Sequence, residues 1–359
     1  MNISRNVGNY IFGTGSFSKL SEVLDARNRE VAGATIFLVD QYFADKDLPN
    51  RLPHLEERTV LFINTDIEPT TDYVDNLVSQ IRRAHPKLPA TVVGIGGGIT
   101  LDCAKALSNL LTNGGQAQDY QGWDLVKVPG VFKIGVPTVS GTGAEASRTC
   151  VMMNQAKNLK LGMNSAHTVF DYLILDPDLT ASVPRDQYFY TGMDSYIHCV
   201  ESLAGSYRHP IGDAFSTTSL NLCLEVFGSD DMQSDENRAK LMVASYLGGC
   251  AIANSFVGVV HPFSAGLSMV LGLHHCIANC IVMNTMEDFY PQQTIQFKSY
   301  LQRQRISLPS GICRNLSQEQ YDRLYASTVV HEKPLINALG SQFLEILSKD
   351  RVIEQFKRM

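Results

Sequence analysis

TVVGIGGGITLDCAKALSNLL, residues 91–111, passes from a β-rich run through three consecutive glycines into a helix carrying Ala104, Leu107, Leu110 and Leu111 on its apolar side. A strand that turns at once into a helix is half of a βαβ unit, and such units build a parallel sheet with helices on both faces. TIFLVD (35–40), VLFIN (60–64) and FKIGVPT (132–138) are further β-rich runs separated by helix-like segments. Before them, YIFGTGSFSKLSEVL reads as a short strand, a turn at Gly13-Thr14-Gly15 and a helix starting at Ser16 or Ser18. The first half is expected to be an α/β domain whose ligands lie beyond the carboxyl ends of its strands.

Two features stand at those ends. Gly96, Gly97 and Gly98 let backbone N–H groups approach a pyrophosphate with no Cβ in the way, and the helix that follows offers roughly half a positive charge. The spacing is neither Walker A nor GxGxxG, so it says phosphate without saying which nucleotide. Asp40 closes its strand, where a carboxylate can accept both hydroxyls of an adenosine ribose; it can equally cap the segment that begins at Gln41. PTVSGTGAEAS (137–147) repeats the pattern at the next strand end, with hydroxyls at Thr138, Ser140 and Thr142.

From Arg185 the chain reads as helices, ending in amphipathic stretches near 316–330 and 334–356. A boundary near residue 180 gives a nucleotide-binding α/β domain over 1–180 and an all-helical domain over 181–359, a division suited to a chain of 359 residues.

The helical half has no Asp, Glu, Lys or Arg between Lys240 and Glu287, yet HPFSAGLSMVLGLHHCIAN (261–279) places three histidines there. Buried polar groups are costly unless partnered, and a histidine's useful partners are a carboxylate or a metal ion. Upstream, Asp194 and His198 are four residues apart, hence one helical turn apart on one face. With His261 and one of His274 and His275 they make one carboxylate and three imidazoles. That set suits Fe2+ or Zn2+, accepts Co2+ or Mn2+, and suits Ca2+ and Mg2+ poorly.

The formal net charge of -6 comes without any basic cluster, so nucleic acid and anionic membrane are not expected partners and a small molecule is. Leu241 to Val260 is long enough to span a bilayer, but serines, an asparagine and glycines dilute it, and it reads as a helical core lining a site. The N-terminus shows no secretion signal, and the eight cysteines are scattered with no CxxC. Both point to a cytoplasmic protein with free thiols. Apolar helices in the second half would permit a homodimer.

Five ordered motifs resemble those of the iron-containing, or group III, alcohol dehydrogenases. GGGSxxDxxK appears at Gly96–Lys105, PTTxGTGxE at Pro137–Glu145, DPxLxxxxP at Asp176–Pro184 and GxDAxxHxxE at Gly192–Glu201; the histidine signatures appear as VVHPFSAG and LHHCIAN. The resemblance implies the dehydroquinate synthase-like fold of that family, an α/β domain followed by an all-α metal-binding domain. It implies metal ligation by Asp194, His198, His261 and His275, the last because it occupies the motif's histidine position. It also implies NAD binding by Asp40, Gly97, Gly98, Thr138 and Thr142, with Asp102 and Lys160 beside them.

Three departures from the pattern stand out. Ile99 replaces a serine in the glycine motif, Ala265 stands where many members carry a second histidine thought to relay protons, and the chain is short towards its C-terminus. Within the family it looks most like the branch that oxidises the C8 hydroxyl of 3-deoxy-D-manno-octulosonate (Kdo) on the way to an 8-amino sugar of lipopolysaccharide. The expected activity is metal-dependent oxidation of a primary alcohol, here a sugar acid, to an aldehyde. Dehydrogenation of another small alcohol or polyol, transfer of electrons to oxygen, and an NAD-using lyase of the dehydroquinate synthase type are the alternatives. Arg148, His167 and His274 are candidates to pair a substrate carboxylate.

Overall fold

A computed structural model describes residues 5–359. The chain divides into two compact units, one reaching to Lys157 and including Leu161–Ser182, the other made of Asn158–Lys160 and Val183–Met359. The division falls two residues beyond the expected boundary, and three residues of a β-hairpin group with the helical unit.

The first unit contains strands β1 (Asn9–Phe12), β2 (Thr35–Asp40), β3 (Arg58–Ile63), β4 (Thr91–Gly96), β5 (Gly122–Trp123), β6 (Phe132–Pro137), β7 (Thr149–Asn154), β8 (Leu159–Asn164) and β9 (Tyr172–Leu175). Helices α1 (Leu20–Glu30), α2 (Thr71–Ala84) and α3 (Gly98–Asn113) accompany them. Six strands form a parallel sheet in the order β1-β9-β6-β4-β2-β3. Ile36, Phe37, Leu38 and Val39 of β2 and Val92, Val93 and Ile95 of β4 are fully buried, which is why both strands are nearly continuous apolar runs rather than alternating ones. The chain adds β3 on one side of β2 and then crosses to β4 on the other. The carboxyl ends of β2 and β4 therefore flank a reversal of strand order, the place where open α/β sheets take ligands.

Three local expectations change. No α-helix joins β2 to β3; Pro49 and Pro53 break that segment, leaving the 3-10 turns Gln41–Phe43 and Leu48–Arg51. β5, β8 and β7 form a separate small sheet with little signature in the sequence, because CVMM and LKLG lack the β-branched alternation of a recognisable strand. The first helix opens as a 3-10 turn over Ser16–Lys19 before α1. Gly13-Thr14-Gly15 is a turn, as expected. Gly13 and Gly15 take φ values of 139° and 75°, and Asp176 accepts from the backbone N–H groups of Gly15 at 3.0 Å and Phe17 at 2.9 Å.

The described residues of the second unit form α4 (Arg185–Ala204), α5 (Pro210–Gly228), α6 (Asp235–Ser255), α7 (Val260–Leu271), α8 (His275–Met283), α9 (Pro291–Gln304), α10 (Gln318–Val329), α11 (Glu332–Leu339), α12 (Phe343–Ile346) and α13 (Lys349–Lys357). α4 is central, with Phe189, Met193, Tyr196 and Ile197 in the core. A Cβ at Gly192 would lie 2.5 Å from Phe227 and 2.8 Å from Leu241, so this glycine sets how closely α4 meets α5 and α6. The stretch 334–356 is three helices rather than one: Gly340 ends α11 at φ 81°, and Ser348 caps α13. α6 and α7 bend by 104° at their junction, and among the described residues no single helix is long and apolar enough to cross a membrane. All eight cysteines are buried and free.

Candidate active site

α4 carries Asp194, His198 and Glu201 at i, i+4 and i+7, a single stripe along one helix face. All three are buried, Asp194 and Glu201 completely. His261 is the second residue of α7 and His275 the first of α8, so two helix starts bring their imidazoles to that stripe. The Nε2 atoms of His261, His198 and His275 lie 3.3, 3.6 and 3.7 Å from the Asp194 carboxylate oxygens.

Donor atoms about 2.0–2.2 Å from a common ion at tetrahedral angles stand roughly 3.3–3.6 Å apart. The three imidazoles stand from Asp194 at close to that spacing. Ligand atoms of Asp194, His261 and His275 all lie within 4.8 Å of one another. His198 reaches this group through Asp194, its ring stacked on that of His261 with centroids 4.8 Å apart. His274 is exposed at the N-cap position of α8, and His275 is the member of the pair that faces the cluster.

Electrostatics favours a cation. Burial alone would raise the Asp194 pKa, yet His198, His275 and His261 hold it well below the usual carboxylate range. His198 is pushed down to about 4 by burial, which keeps its imidazole neutral and able to ligate. Burial would lower His261 too, but Glu201 and Asp194 raise it to about 10. Without an ion, the two buried carboxylates thus hold His261 protonated between them; a divalent ion would displace that proton and balance both carboxylates.

Two residues at this site were named in the sequence only as ends of motifs. Glu201 pairs with His261 Nδ1, and the Asn279 amide donates to Asp194 at 2.6 Å while lying 3.3 and 3.1 Å from the Nε2 atoms of His261 and His275. The signals were present: Glu201 extends the Asp194–His198 stripe by one more turn, and Asn279 is four residues after His275.

The glycine turn expected to take a phosphate belongs to the first unit. Asp40 ends β2, Gly96 ends the neighbouring β4, and Thr138 follows β6, its N–H donating to Gly96 at 3.0 Å. A Cβ on Gly96 would meet Thr100 Oγ1 at 2.6 Å and Asp40 Cβ at 3.0 Å; one on Gly98 would meet Thr142 at 3.3 Å. These glycines are required by close approach rather than by positive φ. Asp40 also acts as a cap, accepting from Tyr42 N at 3.0 Å and Thr65 Oγ1 at 2.9 Å.

Asp102 and Lys105 fasten α3 to the second glycine loop and the strand after it. Asp102 accepts from Val151 N at 2.8 Å, and the buried Lys105 donates to the carbonyls of Ser147 and Thr149 at 3.0 and 2.8 Å. Lys160 is buried, groups with the helical unit and donates to Ser268 Oγ at 3.4 Å. Of the carboxylate-pairing candidates, Arg148 is held by Asp124.

Residues 8–177 match the family model for iron-containing alcohol dehydrogenase, and residues 188–319 match that for the C-terminal part of the same family. The chain belongs to the iron-containing alcohol dehydrogenase family. Alcohol dehydrogenase 4 of Schizosaccharomyces pombe is 28% identical over 240 residues, 66% of this chain and 56% of that protein. The NAD-dependent methanol dehydrogenase of Bacillus methanolicus is 32% identical over 197 residues, 54% of this chain and 51% of its own length. These alignments span little more than half of either relative. Among solved structures, an alcohol dehydrogenase from Oenococcus oeni superposes with a TM-score of 0.85 at 18% identity over 99% of both chains. At that identity the likeness is one of fold: an α/β domain followed by a helical one. Within the iron-containing alcohol dehydrogenases, the divalent-metal reading fits the Asp194, His261 and His275 cluster.

Proposed function

We propose that this chain oxidises a primary alcohol to an aldehyde with NAD as acceptor, using a divalent cation held by Asp194, His198, His261 and His275. The observation that carries this reading is the buried cluster, in which three imidazole nitrogens stand 3.3–3.7 Å from the Asp194 carboxylate, close to the ligand spacing around one small divalent ion. When bound, such an ion supplies the Lewis acidity that eases loss of a hydroxyl proton near neutral pH, and NAD supplies the hydride acceptor. The chain's own residues do the rest. Asn279 fixes the Asp194 carboxylate by its 2.6 Å hydrogen bond, and the neutral His198 packs against the His261 ring. In the other unit, the cradle of Gly97, Gly98, Thr138 and Thr142 suits a pyrophosphate and Asp40 suits a ribose. That pairing, with the NAD named for the Bacillus relative, supports NAD.

The finer proposal is that the alcohol is the C8 hydroxyl of Kdo. It is supported by the likeness to that branch and by Ala265, buried one turn after His261 on α7, where a histidine would be bulkier. A small side chain there leaves room for a long polar sugar acid. Ala265→His is therefore expected to lower kcat/KM for Kdo at least about tenfold, roughly 1.4 kcal/mol, while changing that for a short alcohol far less. Equal losses for both substrates would remove the argument from side-chain size.

The deciding experiment is mass spectrometry of the product after metal-loaded protein is given Kdo and NAD, once in air and once without oxygen. An aldehyde lighter than the substrate by two hydrogens, formed with NADH in both cases, is the expected result. Product that requires air would replace the dehydrogenase with an oxidase. No product with Kdo, alongside oxidation of short alcohols, would overturn the sugar-acid substrate.

A further inference from the structure

We infer that Glu201 is the positioning residue of the metal site, fixing the tautomer and direction of the His261 ring; this rests on the metal reading above. Both oxygens of this carboxylate are engaged. One oxygen pairs with His261 Nδ1, and the other accepts from Val260 N at 2.5 Å and His261 N at 3.4 Å. Val260 and His261 open α7, and their N–H groups have no partner within the helix. A single buried side chain therefore caps the helix and grips the ring that the helix presents.

The consequence for the ring follows from its chemistry. With Nδ1–H given to a carboxylate, the lone pair of a neutral imidazole lies on Nε2, and Nε2 is the atom 3.3 Å from Asp194. The surroundings leave Glu201 little freedom. A Cβ on Gly258 would lie 3.3 Å from both Glu201 Cβ and Oε1 and 2.5 Å from Tyr290 Oη, which itself accepts from Val259 N at 3.3 Å.

Glutamine cannot replace it. Its amide offers one acceptor oxygen and one NH2, but donors face both positions: backbone N–H groups on one side and Nδ1–H on the other. If the NH2 faces the ring, the ring must carry its proton on Nε2, where a ligand cannot have it. If the NH2 faces the backbone, α7 loses its cap and the ring shifts with it. The variant also removes one of two charges that balance a divalent ion.

The test compares Zn(II) and Co(II) affinities, measured by chelator competition, for the full-length wild type, Glu201→Gln and Tyr290→Phe. Tyr290→Phe removes a bond to the same loop without touching His261. The expected result is about 10–100-fold weaker binding in Glu201→Gln and a change within roughly twofold in Tyr290→Phe. Wild-type affinity in Glu201→Gln, or an equal loss in both variants, would overturn the inference. A wild type with no affinity for either ion would overturn the metal reading and this inference together. Independently of any variant, nitrogen-15 spectra of zinc-loaded wild type should show His261 protonated at Nδ1; protonation at Nε2 would sink the proposal.

Discussion

His261→Ala is expected to leave purification with under roughly a tenth of the wild-type metal and to lose about 10³-fold or more in kcat/KM, which is about 4 kcal/mol. The side chain holds its Nε2 3.3 Å from Asp194 and also faces Glu201, so its removal takes away a proposed ligand and leaves two buried carboxylates without their shared partner. Breaking buried ion pairs typically costs about 3–5 kcal/mol, so the variant should also melt earlier. His275→Ala separates the two effects. That side chain is 31% exposed, and its loss should remove metal with a smaller stability cost. Metal analysis beside thermal melting reads both, and unaltered metal content in folded His261→Ala would show that the residue is no ligand.

Gly96→Ala should fail in the opposite way. The added methyl would stand 2.6 Å from Thr100 Oγ1 and 2.7 Å from its Cβ, so the first turn of α3 must move away from β4. Overpacking of this kind costs about 1–3 kcal/mol, and the displaced turn is the one whose N–H groups would meet a pyrophosphate. Affinity for NAD, measured by fluorescence titration, should fall about tenfold or more while bound metal stays at the wild-type level. Unchanged NAD affinity would mean that the glycine turn is not the cradle. Together the two variants distinguish loss of metal from loss of nucleotide.

Much of this arrangement was legible in residue order. The parallel sheet followed from β2, β4 and β6 because a strand buried on both faces must be apolar throughout, and a glycine turn must follow where helix and ligand crowd its end. Asp194 and His198 declared their shared face because helical periodicity converts a spacing of four into proximity. The broken helices at Gly340 and Ser348 and the small sheet of β5, β8 and β7 were harder, since short elements take their stability from packing rather than from their own propensity.

Residue order by itself determined the two-part architecture, the glycine turns and the set of histidines proposed as ligands, because these rest on periodicity and on what each side chain can do. Tertiary structure decided which atoms meet. Choosing His275 over His274 from geometry, joining Glu201 to His261 across 60 residues, and seating Asn279 against Asp194 across 85 all depend on how α4, α7 and α8 pack. Local spacing puts Glu201 and Asn279 on the faces of their helices that carry Asp194 and His275, but which side chains they meet is a property of how whole buried faces pack.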